Sequence, residues 1–506
     1  MWTRIATAVQ TARGWKRNAI AFLAGVASVL ALPPFYALPF LVVGLGLWIW
    51  LLYASPSFWR SIWDGWWFGV GYFLAGTYWI SIALTADIAQ FGWMIPFSLI
   101  GLSGGLALFM ALVGGASWWW RKATPLGFVC ALTALWIVVE YLRTYLFTGF
   151  PWNLLGYAST VLDPLAQSAS VVGIYGVGLL LFWMAATPAL LAYDRSYWRA
   201  CAVAGMVLIA MLGYGGWRLA SAPDDASSGV RVRMVQANIP QQLKWDPAFR
   251  EASLRTHAAL TTGDGWEDID IVIWPETALP FVLDSDSQWP DLLADLVPPG
   301  GVLITGAVWL EKAGETQKIR NSIIAIDEAG VVVGRYNKQH LVPFGEYVPF
   351  RSVLPIEKIT AGMQDFTPGT DTRLMHFGTF PSATPLICYE AIFPQYAKIE
   401  KAGWLLNLTN DAWFGFSSGP FQHNQMARMR AVEQGKPLVR VANTGISIIY
   451  NGYGLNLGHI ELNREGVLDV ELPVAMPATP YHFVGEFLVL IQLFLLFGYS
   501  VWSRKI

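Results

Sequence analysis

Three residues of unlike chemistry close apolar, strand-like runs. Glu276 follows Asp268–Trp274, Lys338 follows the run ending Arg335-Tyr336-Asn337, and Cys388 follows Leu386-Ile387. Where strands and helices are layered, sites are built at the carboxyl ends of the strands. A thiol needs a base to become a thiolate, and a carboxylate can accept its proton. An ammonium stabilises the oxyanion that forms when a thiolate adds to a carbonyl. The set therefore favours acyl transfer through a thioester. Each residue alone has a plainer reading: Cys388 as a small buried hydrophobe, Lys338 as a surface charge, Glu276 as an acid at a helix start. No spacing rule ties the three together. Cys130 and Cys201 lie inside long apolar runs and read as packing.

The elements that must carry these residues follow from where charge falls. Of 506 residues, 55% are hydrophobic and 13% charged, against about 25% charged in an ordinary soluble chain. A net charge of −2 offers no basic field for a polyanion, so no nucleic-acid partner is expected. Three Cys with no CxxC pair exclude a disulfide scaffold and a cysteine zinc site. The six His lack ligand spacing such as HExxH, and neither a metal nor a cofactor is expected.

Between Asn18 and Leu219 only twelve residues are charged. The rest forms runs near the roughly 20 residues a helix needs to cross a bilayer. Seven spans are predicted in residues 1–220: Ala19–Leu32, Leu38–Ala54, Ile62–Leu84, Met94–Trp119, Leu126–Phe147, Val171–Tyr193 and Ala200–Trp217. An eighth covers Phe483–Trp502, within residues 483–502. Arg4, Arg13, Lys16, Arg17, Arg60, Arg121, Lys122, Arg195, Arg199, Arg504 and Lys505 all fall on one side of this arrangement. Both termini are therefore expected in the cytoplasm and the large insert across the membrane.

That insert, residues 229–475 behind a breaker-rich linker at 221–228, holds most of the acidic and basic residues. Its apolar runs shrink to strand length. Strands are predicted at Val230–Ala237, Asp268–Trp274, Gly301–Ala307, Asn321–Asp327, Val331–Tyr336, Thr384–Ile387 and Trp404–Leu408. Helices are predicted at Phe249–Leu260, Pro290–Leu296 and Gln422–Gln434. The alternation indicates a layered α/β domain but not its topology.

Trp274-Pro275-Glu276, then Lys338 within Tyr336–Glu346, then Cys388-Tyr389-Glu390, resembles the Glu–Lys–Cys order of the nitrilase superfamily. With the flanking helices, the whole chain resembles the bacterial apolipoprotein N-acyltransferases. Further stretches carry this resemblance: Gln236–Gln241 with Lys244-Trp245, Phe344–Pro349, Asn407–Phe414, and Gly149–Asn153 in an outer loop. The resemblance implies an α-β-β-α sandwich behind a multi-pass helical membrane domain in the bacterial inner membrane. It also implies a two-stage reaction. Cys388, with Glu276 as base and Lys338 steadying the oxyanion, takes an acyl group from a phospholipid such as phosphatidylethanolamine. The thioester then acylates the α-amine of a diacylglyceryl-cysteine on an apolipoprotein. Supporting roles are implied for Glu346, Tyr389, Glu390 and Trp245, with Glu346 orienting Lys338 or the thiol and Trp245 near the lipid entrance. A monomer is expected.

Two rivals stand beside this. A membrane-anchored nitrilase-type amidase or hydrolase would use the same triad and admit water, although eight helices exceed what an anchor needs. A transporter with an inactive sensor domain lacks support from broken helices or an internal repeat. Gly101-Leu102-Ser103-Gly104-Gly105 fits G-x-S-x-G but lies in an apolar span, where small residues would let helices pack closely. Asn407-Leu408-Thr409 matches a glycosylation sequon at the end of a buried strand. Glu140 and Arg143 read as a mutual pair near the outer end of the fifth span.

Overall fold

The computed structural model describes residues 2–222, 227–284, 289–313, 316–352, 358–360 and 364–504. The chain forms two compact units, one of Met1–Ser81, Trp93–Ser221 and Thr479–Ile506, the other of Ile82–Gly92 and Ala222–Ala478.

The first unit is helical. Among the described residues, five helices are long and apolar enough to cross a membrane: Phe58–Thr85, Ile88–Trp120, Pro125–Arg143, Ala169–Ala192 and Arg195–Ala220. Leu38–Tyr53 and Phe487–Trp502 are shorter apolar helices. The span expected at Ala19–Leu32 is a helix over Gly14–Val29, which takes in Lys16 and Arg17. Arg17 can lie in it because its guanidinium meets the buried carboxylate of Asp64 at 2.7 Å, a charge also shared by Arg60. The helix expected to reach Phe147 stops at Arg143, and Phe147 adopts a left-handed φ of 54°. The run from Val171 is interrupted at Gly173, φ 63°, where a Cβ would strike the ring of Tyr481.

Close helix packing comes from glycines other than those of the G-x-S-x-G run. A Cβ at Gly101 or Gly105 meets nothing within 4 Å, whereas one at Gly65 or Gly114 would meet the backbone of the facing helix. Glu140 and Arg143 both grip the loop that follows their helix. Leu155 N donates to Glu140 Oε1 at 2.9 Å, and Arg143 donates to the carbonyls of Phe150 (2.6 Å) and Trp152 (2.7 Å).

The second unit is a four-layer sandwich. Its strands are β1 (Ser227–Gln236), β2 (Ile271–Ile273), β3 (Val282–Leu283), β4 (Val302–Ala313), β5 (Thr316–Asp327), β6 (Val332–Asn337), β7 (Met375–Phe377), β8 (Phe380–Ile387), β9 (Trp404–Thr409), β10 (Leu438–Ala442), β11 (Ser447–Tyr450), β12 (Asn456–Ile460) and β13 (Gly466–Pro473). One sheet runs β13-β1-β2-β4-β5-β6, with β3 paired to β4, and the other runs β12-β11-β10-β9-β8-β7. β1 already pairs from Ser227, two residues before the expected boundary; residues 223–226 of the linker lie outside the described set, as does Lys505.

Side chains alternate across a strand, so a strand buried on both faces is apolar throughout. Ile271 and Ile273, Ile323 and Ala325, Leu406 and Leu408, and Val439 and Val441 meet between the two sheets. Their neighbours Val272, Ile324 and Ile326 face Leu254, Leu260 and Trp289 on the outer side of the first sheet. Leu405 and Leu438 face Ala427 and Ala431 of the helix Ser418–Gln434. The expected helices at Phe249–Leu260 and Pro290–Leu296 occur at Arg250–Thr261 and Trp289–Ala294. Strands β3, β7 and β10 to β13 lie outside the expected set.

Candidate active site

Glu276 leaves the end of β2, Lys338 follows β6, and Cys388 follows β8, so the two sheets supply the three groups from facing layers. All are buried, at 6%, 1% and 7% exposure. Lys338 Nζ lies 3.6 Å from Glu276 Oε1 and 2.9 Å from Glu346 Oε2. Asn321, on β5, donates from Nδ2 to Glu276 Oε1 at 2.8 Å and to Glu346 Oε1 at 2.9 Å. Val342 N donates to Glu346 Oε2 at 2.8 Å. Glu346 is thus a buried partner of Lys338, not a surface carboxylate.

Electrostatics set the resting state of each group. Burial works against charge on Lys338, but Glu346 and Glu276 outweigh it and hold the ammonium well above the usual lysine range. Burial pushes the Cys388 thiol up, the Glu276 charge adds to this, and Lys338 pulls the other way. The net direction is upward, which favours the protonated thiol over the thiolate.

Two left-handed residues shape the site: Cys388 at φ 48° and Thr277, beside the carboxylate, at φ 46°. Such a conformation costs a residue with a Cβ roughly 1–2 kcal/mol, so surrounding contacts must hold it. Glu390 does this for the cysteine turn. Ile387 N donates to its Oε2 at 2.8 Å, while Tyr336 Oη (2.9 Å), Gln339 N (2.9 Å) and His340 N (3.2 Å) donate to its Oε1. One carboxylate therefore ties the segment around Lys338 to the turn of Cys388. Burial pushes the Glu390 carboxyl up and the N–H of Ile387 pulls it down. Tyr389 packs on His340 and Phe393, at ring separations of 5.5 and 5.1 Å.

At the other turn, Lys244 donates from Nζ to the backbone carbonyl of Glu276 at 2.9 Å. Burial lowers this ammonium to about 8, against the pull of Glu276 and Cys388. Trp245 is half-buried on the same short turn. Gly306 lies beneath: a Cβ there would come within 2.6 Å of Glu276 Cα and of the Pro275 carbonyl.

Lys244, Asn321, Asp411, His423 and Arg440 were not singled out as site residues in the sequence. A signal existed for two of them, since Asn321 and Arg440 are polar residues inside runs otherwise fit for a buried strand. Asn407 of the sequon is fully buried, as its place in β9 requires. Among the described residues no group of three His, Cys, Asp or Glu is placed to hold a metal ion.

Four-layer architecture with a buried carboxylate, ammonium and thiol accords with the match of residues 231–479 to the carbon-nitrogen hydrolase family. Residues 24–187 match the apolipoprotein N-acyltransferase N-terminal domain. The apolipoprotein N-acyltransferase of Rhodopseudomonas palustris is 41% identical over 508 residues, covering 96% of this chain and 94% of the relative. Those of Bradyrhizobium diazoefficiens and Brucella suis biovar 1 are 40% and 39% identical, covering 96% and 95% of this chain and 94% of each relative. The chain belongs to the apolipoprotein N-acyltransferase family, within the nitrilase superfamily.

Proposed function

We propose that this chain transfers an acyl group from a phospholipid to the N-terminal diacylglyceryl-cysteine of an apolipoprotein, through a thioester on Cys388. The observation that carries this reading is a buried thiol set among the charges of Glu276 and Lys338, which lie 3.6 Å apart. Glu276 takes the thiol proton as Sγ adds to the ester carbonyl. Lys338, with backbone N–H groups beside Cys388, stabilises the oxyanion. The intermediate collapses to the thioester, and Glu276 returns the proton to the departing lysophospholipid alcohol. The lipoprotein's α-amine then attacks the thioester and gives its proton to Glu276. Amide forms, and the thiolate leaves and is reprotonated.

Glu346 holds Lys338 in register, Glu390 and Tyr389 seat the nucleophile, and Trp245 lines the approach for lipid. In the same reading the enzyme is an inner-membrane monomer with eight crossings and both termini cytoplasmic. The sandwich of residues 229–475 is periplasmic, the donor is phosphatidylethanolamine, and no cofactor takes part. One of two loops, Phe344–Thr360 or Trp413–Phe421, gates lipid entry; residues 353–357 of the first lie outside the described set. Exposed aromatics support a lipid-facing role, with Phe350 at 79% and Phe416 at 81%. Pinning each loop in turn by a disulfide without slowing turnover in either case would count against the gate.

Intact mass after mixing the purified protein with phospholipid tests the core of the reading, with Cys388→Ala as control. A gain of one acyl group, absent in the control and discharged by a diacylated lipopeptide, is the expected result. Discharge by water alone makes the chain a hydrolase. No adduct removes Cys388 from the mechanism.

A further inference from the structure

The helix Ser418–Gln434 carries a fully buried His423 against the underside of the nucleophile's turn. Its Nε2 lies 3.1 Å from the backbone carbonyl oxygen of Cys388. A carbonyl oxygen only accepts, so this nitrogen carries a hydrogen and donates it. Its other nitrogen, Nδ1, lies 2.9 Å from Asp411 Oδ1 and 3.1 Å from Arg440 Nη2. Asp411 is itself held by Arg440 at 2.6 Å and by the Thr409 hydroxyl at 2.9 Å, while Arg440 also bonds Asn407. Whether Nδ1 donates to Asp411 or accepts from Arg440, the ring plane is fixed and Nε2 stays aimed at Cys388.

We propose that His423 is a positioning residue for the nucleophile: its Nε2–H grips the Cys388 carbonyl and holds the left-handed turn that aims the thiol. The proposal rests on the acyl-enzyme reading above. Cys388 is left-handed although it bears a Cβ; Glu390 holds the turn from its entering side through Ile387 N, and His423 meets the carbonyl of Cys388 itself. The carbonyl of Cys388 itself is set by the helix, so rotation of this peptide moves Sγ relative to Glu276 and Lys338. Reacting groups displaced by even 1 Å can lose on the order of 100-fold in rate. His423 is fully buried beneath the turn, so the loss is expected on the acylation step and not on lipid binding.

Two substitutions separate the two ends of the ring. Glutamine places an amide N–H near the position of Nε2, and asparagine places one near Nδ1. With full-length protein in detergent, the acyl-enzyme burst is followed by intact mass across phospholipid concentrations. His423→Asn is expected to slow the burst by about 10- to 100-fold at unchanged half-saturation, and His423→Gln to recover most of that loss. A folded Asn variant that acylates at the unaltered rate overturns the proposal, as does a folded Gln variant as slow as the Asn one. Should neither variant fold, ¹⁵N-histidine NMR of the unaltered protein decides. At least one slowly exchanging ring protonated on Nε2 is expected, and its absence overturns the proposal. Failure of the unaltered protein to form any adduct would instead defeat the acyl-enzyme reading, which keeps the two failures distinct.

Discussion

Lys244 donates its 2.9 Å hydrogen bond to the backbone carbonyl of Glu276, not to the carboxylate. A buried ammonium therefore braces the turn, at a cost set by desolvation. Its pKa falls from 10.5 in the ordinary side chain to about 8 in the folded protein. Between those values the unfolded chain binds more protons, so stability from this group rises with pH across that window and is lowest below about 8. Lys244→Met removes the dependence. The thermal midpoint of the unaltered protein relative to the variant is expected to climb from about pH 8 to about pH 10.5. A flat difference across that range would contradict the buried ammonium.

Glu276→Gln preserves the shape of the proposed base and the backbone contact from Lys244 but cannot accept the thiol proton. Acyl-enzyme formation is expected to fall by about 10²- to 10⁴-fold, the usual share of general base catalysis. Because the Cys388 thiol is pushed upward, raising the pH speeds what activity remains. Burst kinetics against pH check both points. A variant of full activity would take Glu276 out of the reaction.

Lys338 and Glu346 form a buried pair at 2.9 Å. Removing one partner of such a pair usually costs about 3–5 kcal/mol when the other charge is left without compensation; here Glu276, 3.6 Å from Lys338, keeps part of that compensation in place. Glu346→Gln is therefore expected to lower the thermal midpoint less than Lys338→Met, which leaves two buried carboxylates without their shared ammonium. Both should fail to form the thioester. Calorimetry and intact mass on the unaltered protein and the two variants distinguish lost stability from lost chemistry, and a Glu346→Gln midpoint equal to that of the unaltered protein would contradict the pairing.

Gly306→Ala makes a test of packing under the base. Its Cβ would fall 2.6 Å from Glu276 Cα, and neither backbone there is a flexible side-chain end. Overpacking of this kind costs about 1–3 kcal/mol. The expected outcome is a folded protein with slower acylation and a lower midpoint. Gly378→Ala, at a position where the added Cβ meets nothing within 4 Å, should leave acylation unchanged.

Much of this architecture is legible in the residue order for plain reasons. Apolar length reports helices that can cross a bilayer, and sparse charge in residues 18–219 marks where they lie. Glu276, Lys338 and Cys388 stand out as candidates because each follows an apolar strand, and β2, β6 and β8 end where the runs suggest. Helix ends were less legible. Phe147 and Gly173 depart from the expected helices because of a left-handed residue and the approach of Tyr481, neither of which a hydropathy pattern records.

Residue types and their order determined the membrane-spanning character, the layered insert and the chemistry that a carboxylate, an ammonium and a thiol could share. Folding alone brought Asn321 between two carboxylates, Lys244 beneath one strained turn and His423 beneath the other. These contacts join positions far apart in the chain, and each polar side chain is buried only because its partner arrives from another element. A linear pattern registers which groups are present; the pairing that makes their burial tolerable exists only once the sheets and helices have packed.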